Sequence, residues 1–195
     1  LIVNRWFSDS DSQTKIFNEL IDVMGIEIES GRMKPEGPVG VKPRPFIVKV
    51  ASEVVCMNGV TTEEEEIEKL FKEVDIQTAN DILPFLKVLP GVYAFIKECH
   101  EQGLQLGVVT TDITERGRKA LQALEMENYF HYIIGGDQVK NPKPASDSVD
   151  IILEQSGIER DKTAVIGDHA VDLEMGITSN IGCNIGVLTG LGTRE

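Results

Sequence analysis

The sequence predicts an α/β fold in two parts, a small all-helical module followed by a core built on a doubly wound parallel sheet. Three observations predict it. Over residues 13–87 apolar side chains recur at helical spacing, without the alternation of a half-buried strand. From residue 104 onward short apolar runs alternate with helical stretches, and such β-α-β alternation demands parallel strands with helices on both faces. A threonine (Thr110), a lysine (Lys143) and an acid pair (Asp168 and Asp172) each terminate a βα unit, and open α/β sheets bind their ligands at the carboxyl ends of strands.

Composition bounds the rest. With 195 residues, 41% of them hydrophobic, the chain can bury one sizeable core or a core plus a small satellite. A formal charge of −13 without clustered Lys and Arg argues against a nucleic-acid partner. Cys56, Cys99 and Cys183 have no metal-like spacing and read as reduced thiols. No apolar run reaches the length of a membrane span and no signal peptide is visible, so the expectation is a cytoplasmic protein without a membrane partner. Oligomeric state is not readable.

In order, Leu1-Ile-Val3 and Asn4 to Phe7 match no regular period. Residues 8–12 offer N-cap side chains for a helix over 13–24, ended by Gly25. Residues 27–45 are rich in Gly and Pro and predict a long loop, the kind that serves as a lid or binding loop. A helix over 45–57 buries Phe46, Ile47, Val50, Val54 and Val55. Two more helices follow over 63–74 and 78–86, the first opened by the acidic run from Glu63 to Glu66, which suits a helix dipole and which Thr61 or Thr62 can cap. Pro90 sits in the first turn of a helix reaching residue 100. Strands are expected over 104–109, 132–134, 163–166 and 184–188, and helices over 114–124, 146–155 and 171–179. Cys183 is expected to pack in the core.

Each strand end carries a distinct chemical group. Thr110 and Thr111 precede a helix N-terminus, where free N–H groups and the dipole attract anions and a hydroxyl can hold a phosphate oxygen. Thr110 or Asp112 could equally cap that helix. Two prolines fix the backbone around Lys143, and a rigid loop aiming one ammonium fits a negatively charged group, although a lone lysine is by default a solvated surface residue. Asp168 and Asp172 repel each other unless a cation lies between them, and hard oxygen ligands at a strand tip suit Mg²⁺; either acid could instead cap the next helix. A hydroxyl, an ammonium and an acid pair are the parts that phosphoryl transfer on Mg²⁺ needs. His169, beside them, reads as a metal-water or substrate contact or as an exposed loop residue. Arg32, Lys34, Lys42 and Arg44 either recognise an anionic substrate or are solvated loop charges.

Val108-Val-Thr-Thr-Asp112, Asn141-Pro-Lys-Pro144 and the segment from Val165 to Gly176 resemble the second, third and fourth motifs of the haloacid dehalogenase superfamily, in order and spacing. Leu89-Pro-Gly-Val92, Asn128-Tyr-Phe130 and Gly136-Asp137 are similar companions, and the likeness covers about residues 88 to 193. It implies the phosphoglycolate-phosphatase-like subgroup: a Rossmann-like core over 88–195, an inserted helical cap over 13–87, and residues 1–12 as the start of the core. By position it implies that Thr110 hydrogen-bonds the transferring phosphoryl group, with Thr111 contributing to phosphate contacts. Lys143 would neutralise nucleophile and phosphate, Asp168 would ligate Mg²⁺ and Asp172 would support the metal.

One departure stands out. The family closes its first strand with Asp-x-Asp-Gly-Thr, and this sequence holds no such stretch; Asp9-Ser-Asp11 has the spacing without the following Gly or a preceding apolar strand. Leu1-Ile-Val3 fits as residues just downstream of that motif, and the family normally continues past the region of Gly192. Two function classes follow: a Mg²⁺-dependent phosphatase of a small phosphorylated metabolite working through an aspartyl-phosphate, or a catalytically inactive phosphate-binding or regulatory module. A receiver-like or nucleotide-binding domain is a third, disfavoured by the missing glycine-rich βα turn.

Overall fold

The computed structural model describes residues 2–30, 32–34, 37–78 and 83–190. The chain divides into two compact units, Leu1–Asp81 and Ile82–Glu195.

The first unit is helical. Helices α1 (Ile2–Trp6), α2 (Ser10–Val23), α3 (Arg44–Met57) and α4 (Glu64–Thr78) surround one apolar core. Ile16 and Leu20 of α2 and its C-cap Met24 supply it at i, i+4, i+8, with Val48, Ala51, Val54 and Val55 from α3 and Ile67 from α4. Phe46, expected inside, is 42% exposed, because the buried stripe of α3 is turned one residue away and the ring instead lies under the Lys42 ammonium. Asp9 caps α2, its carboxylate accepting from the Ser12 N–H, which holds its pKa below the ordinary value. Residues 1–12, expected as the start of the α/β core, fall within the first unit: Ile2–Trp6 form α1, residues 10–12 begin α2, and Ile2, Val3, Trp6 and Phe7 pack on the helical core.

The loop expected over 27–45 carries secondary structure. Strands β1 (Ile26–Glu27) and β2 (Arg32–Met33) pair antiparallel, and the backbones of Gly25 and Gly37 meet so closely that a Cβ on Gly25 would lie 2.4 Å from the Gly37 Cα. Two-residue strands are too short to show a period, so only the glycines of this hairpin were visible. Lys34 is bonded to Asp22, and Arg44 is paired with Asp75 and stacked on Phe71. Those two loop cations are therefore spent on intramolecular acids. Of the helix expected over 78–86, Thr78 ends α4 and Leu83–Phe85 make a single 3₁₀ turn; residues 79–82 lie outside the described residues.

The second unit is the α/β one. Its order is α5 (Val92–Glu101), β3 (Gly107–Val109), α6 (Thr114–Ala123), β4 (Tyr132–Ile134), α7 (Asp147–Ser156), β5 (Ala164–Gly167), α8 (Ala170–Thr178) and β6 (Cys183–Gly186). The alternation is parallel as expected: β3 pairs with β4 and β5 with β6, with Val108 opposite Ile133 and Ile166 opposite Ile185. Among the described residues the strands pair two by two. Met126, Ile133, Ile134, Val149 and Met175 are buried, whereas every residue of β6 is exposed. Cys183 is consequently exposed, not in the core, since β6 borders solvent. Strand β3 begins three residues later than expected because residues 102–104 close the end of α5, with Gly103 in the left-handed region and the Leu104 N–H returned to the Cys99 carbonyl. Pro90 precedes the cap residue Gly91 and so lies outside the helix.

Asp150 ties this unit together. Its carboxylate accepts from the Ser146 hydroxyl at 2.6 Å and from Arg160 at 2.7 Å, and Arg160 also donates to the Ser179 carbonyl at the end of α8. The Ser146 hydroxyl and then Arg160 hold this carboxyl below the usual aspartate range, against the opposing effect of burial. A carboxyl with a depressed folded pKa stabilises fully above its unfolded value and loses that contribution as pH falls through the folded one. Asp150→Asn is therefore expected to cost about 1 kcal/mol at pH 7, discounted for exposure, with the deficit shrinking below about pH 4. Thermal melts of both proteins at pH 7 and pH 3 check this; a deficit that stays constant refutes it.

Candidate functional site

The tips of β3 and β5 are joined by one side chain. Lys143 Nζ lies 2.6 Å from Asp172 Oδ1 and 3.4 Å from the Val109 carbonyl, so the ammonium spans the last residue of β3 and the first turn of α8. Side-chain exposure is 13% for Lys143 and 12% for Asp172, so the ion pair is well enclosed. The lysine is not the solvated surface charge that a lone Lys usually is. Two of its three donors are engaged, which leaves one for an anion.

Asp172 has a double duty. Its Oδ2 accepts from the His169 backbone N–H at 3.2 Å, while the His169 ring accepts from the Val171 N–H, a reciprocal capping box at the start of α8. The cap of this helix is thus His169, and Asp172 reaches back to it from the third helical position. Gly167 makes room for that carboxylate: a Cβ there would lie 2.2 Å from Asp172 Cβ. Asp168, the next residue, is half-buried and seated against Gly190, where a Cβ would lie 1.5 Å from Asp168 Oδ2. Glycine at 167 and 190 therefore shapes the seats of both acids.

Thr110 follows Val109 directly, and its N–H extends the ladder to the Ile134 carbonyl. Its hydroxyl oxygen accepts from the Asp112 N–H at 3.1 Å, so the hydroxyl proton remains available to donate to a phosphoryl oxygen. The carbonyl of Thr111 lies against Gly136, at 2.7 Å from the position a Cβ would take there.

The helix N-terminus behind these threonines is not the open anion site that the sequence suggests. The Ile113 N–H is taken by Asp112 Oδ1, and the Thr114 N–H by Asp137 Oδ1 at 2.7 Å. Asp137 also accepts from the Thr114 hydroxyl, which itself accepts from the Gly135 N–H. The cap of α6 comes from the loop after β4, a pairing across 23 residues that no local pattern reveals. Thr110 and Asp112 bond neighbouring N–H groups, while the helix proper is capped from outside.

The donor chemistry fits a hard divalent cation. Mg²⁺ is commonly held by one or two carboxylates with waters and substrate phosphate completing six oxygens, so it needs no dense protein cage. The described residues contain no cluster of three or more His, Cys, Asp and Glu side chains that could hold a metal. Asp172 is engaged by Lys143 and by its own helix, and Asp168 is seated beside the small Gly190.

Comparison with known proteins places these residues in context. Residues 40–185 match the family model described as haloacid dehalogenase-like hydrolase. Pyrophosphatase PpaX of Halalkalibacterium halodurans is 34% identical over 83 residues, 43% of this chain and 39% of that protein. Phosphoglycolate phosphatase of Escherichia coli K12 is 33% identical over 87 residues, 45% of this chain and 34% of that protein. The matched stretches thus span well under half the length of these two relatives. A crystal structure of a haloacid dehalogenase-like hydrolase from Bacteroides fragilis superposes with a TM-score of 0.70 at 18% identity, covering 92% of this chain and 81% of that one. A HAD phosphatase from Thermococcus onnurineus gives 0.57 at 16% identity, over 93% and 71%. At these identities the two structures speak for the fold.

Proposed function

This chain belongs to the haloacid dehalogenase-like hydrolase family, and from that premise we propose that it serves a Mg²⁺-dependent phosphatase acting on a small phosphorylated metabolite. The observation that carries the reading is the seating of Lys143 between the Val109 carbonyl and the Asp172 carboxylate. It puts an enclosed cation one residue from the Thr110 hydroxyl, at the junction of two strand tips.

The charges explain why a divalent cation is part of the proposal. A phosphomonoester dianion would bring two negative charges to a site whose enclosed ammonium, Lys143, is already paired with Asp172. Mg²⁺ at Asp168 would supply the neutralising positive charge for the phosphoryl oxygens. The Thr110 hydroxyl donates to one phosphoryl oxygen, and the Lys143 ammonium turns its remaining donor to another. Asp172 keeps that ammonium charged and aimed. In the reaction we propose, a carboxylate attacks phosphorus, the bond from phosphorus to the substrate oxygen breaks, and water then hydrolyses the acyl phosphate. No residue of this chain is assigned as that nucleophile.

The second reading is a phosphate-binding or regulatory module without turnover. A panel of phosphomonoesters assayed with Mg²⁺ and with EDTA decides between them. Turnover that needs Mg²⁺ supports the phosphatase. Tight Mg²⁺-dependent binding of phosphate with no turnover supports the module, and activity indifferent to EDTA refutes both.

A further inference from the structure

Lys143 projects from a loop whose two ends are tied, and one of the ties is an acid of α7. The Asp147 carboxylate accepts from the Asn141 backbone N–H at 2.9 Å and from the Asn141 side-chain amide at 3.2 Å. Inside that clamp the Ala145 N–H returns to the Pro142 carbonyl at 3.1 Å, closing a four-residue turn with Lys143 at its first corner. Pro142 and Pro144 remove much of the remaining backbone freedom. Asp147 is thus the side chain that fixes where this turn leaves α7.

We propose that Asp147 is a positioning residue for Lys143, holding the Asn141 end of the lysine turn so that the ammonium reaches both the β3 tip and Asp172. The proposal rests on the phosphatase reading only for its consequence in binding; the clamp is a statement about the loop. An ammonium on a four-carbon stem would otherwise spread over many rotamers, and ordering it costs side-chain entropy. Fixing the turn settles its backbone in advance, which is how preorganisation strengthens a site without adding a contact.

The same helix provides the control. Asp150 also lies in the first turn of α7, where any acid interacts favourably with the dipole, but its carboxylate goes to Ser146 and Arg160 and not to the lysine turn. A purely helix-stabilising role would make the two acids equivalent. A positioning role makes them differ.

The test uses competitive amine acetylation read by mass spectrometry, together with calorimetric titration of inorganic phosphate in the presence of Mg²⁺. In the parent protein Lys143, enclosed and ion-paired, is expected to label slowly. Asp147→Ala should raise Lys143 labelling several-fold and weaken phosphate binding about tenfold. Asp147→Asn, which keeps one acceptor oxygen for the Asn141 N–H, should fall between the two, and it remains informative if the alanine variant fails to fold. Asp150→Asn should lower the melting temperature while leaving Lys143 labelling and phosphate affinity as they are. Unchanged Lys143 labelling in Asp147→Asn and Asp147→Ala overturns the proposal, as does equal labelling in the Asp147 and Asp150 variants. Raised labelling in a protein that binds no phosphate at all upholds the clamp and refutes the phosphatase reading, so the two failures are distinguishable.

Discussion

Asp168→Asn is expected to abolish Mg²⁺-dependent phosphate binding and any Mg²⁺-dependent turnover, by at least about 10³-fold, while leaving the fold intact. The substitution conserves volume, so the contact with Gly190 survives. It removes the charge that a hard divalent cation requires and leaves an amide oxygen, a far poorer partner. The parent should gain stability with added Mg²⁺ by mass action, and the variant should not. Melting curves over a Mg²⁺ series separate these outcomes from a general loss of structure. A variant that still responds to Mg²⁺ like the parent removes Asp168 from the metal site.

The strand tips were legible because their residues punctuate as well as function. An apolar run ending in Gly167-Asp168 or in two threonines marks a strand end, and prolines on both sides of Lys143 mark a rigid loop, whatever the surrounding packing. What was not legible depends on partners far away in the chain. Asp137 caps α6 from 23 residues downstream, Asp147 clamps Asn141, and Gly190 makes room for Asp168; each of these residues taken alone is an ordinary loop or helix residue. The β1–β2 hairpin escaped for a related reason, since its decisive feature is the meeting of Gly25 and Gly37 across a turn. At the start of α6 the sequence leaves an anion site and a cap by Thr110 or Asp112 as alternatives; Asp112 does take the Ile113 N–H, whereas the carboxylate on the Thr114 N–H, Asp137, is beyond the reach of local reasoning.

Lys143→Met is expected to damage function and stability together, because it acts on both the charge balance and the fold. Removing the ammonium deprives the phosphoryl group of its only enclosed protein cation among the described residues of this unit, and losses of 10²–10³-fold are typical for one preorganised donor. It also leaves the Asp172 carboxylate, 12% exposed, with the His169 N–H as its remaining bond. Breaking one side of an enclosed ion pair costs about 3–5 kcal/mol, most of it the burden of the stranded charge. That burden makes the two effects separable. In Lys143→Met/Asp172→Asn neither charge is present, while the amide oxygen at 172 can still accept from His169 and preserve the helix cap. The double variant should therefore regain most of the stability lost in Lys143→Met, yet remain as poor as it in phosphate binding. Denaturant unfolding of the four proteins in a double-mutant cycle measures the coupling, and calorimetry with phosphate measures the function. A double variant no more stable than Lys143→Met would mean that the ion pair is not what holds the β3 and β5 tips together. Phosphate affinity recovered along with stability would mean that Lys143 is a strut and not a ligand.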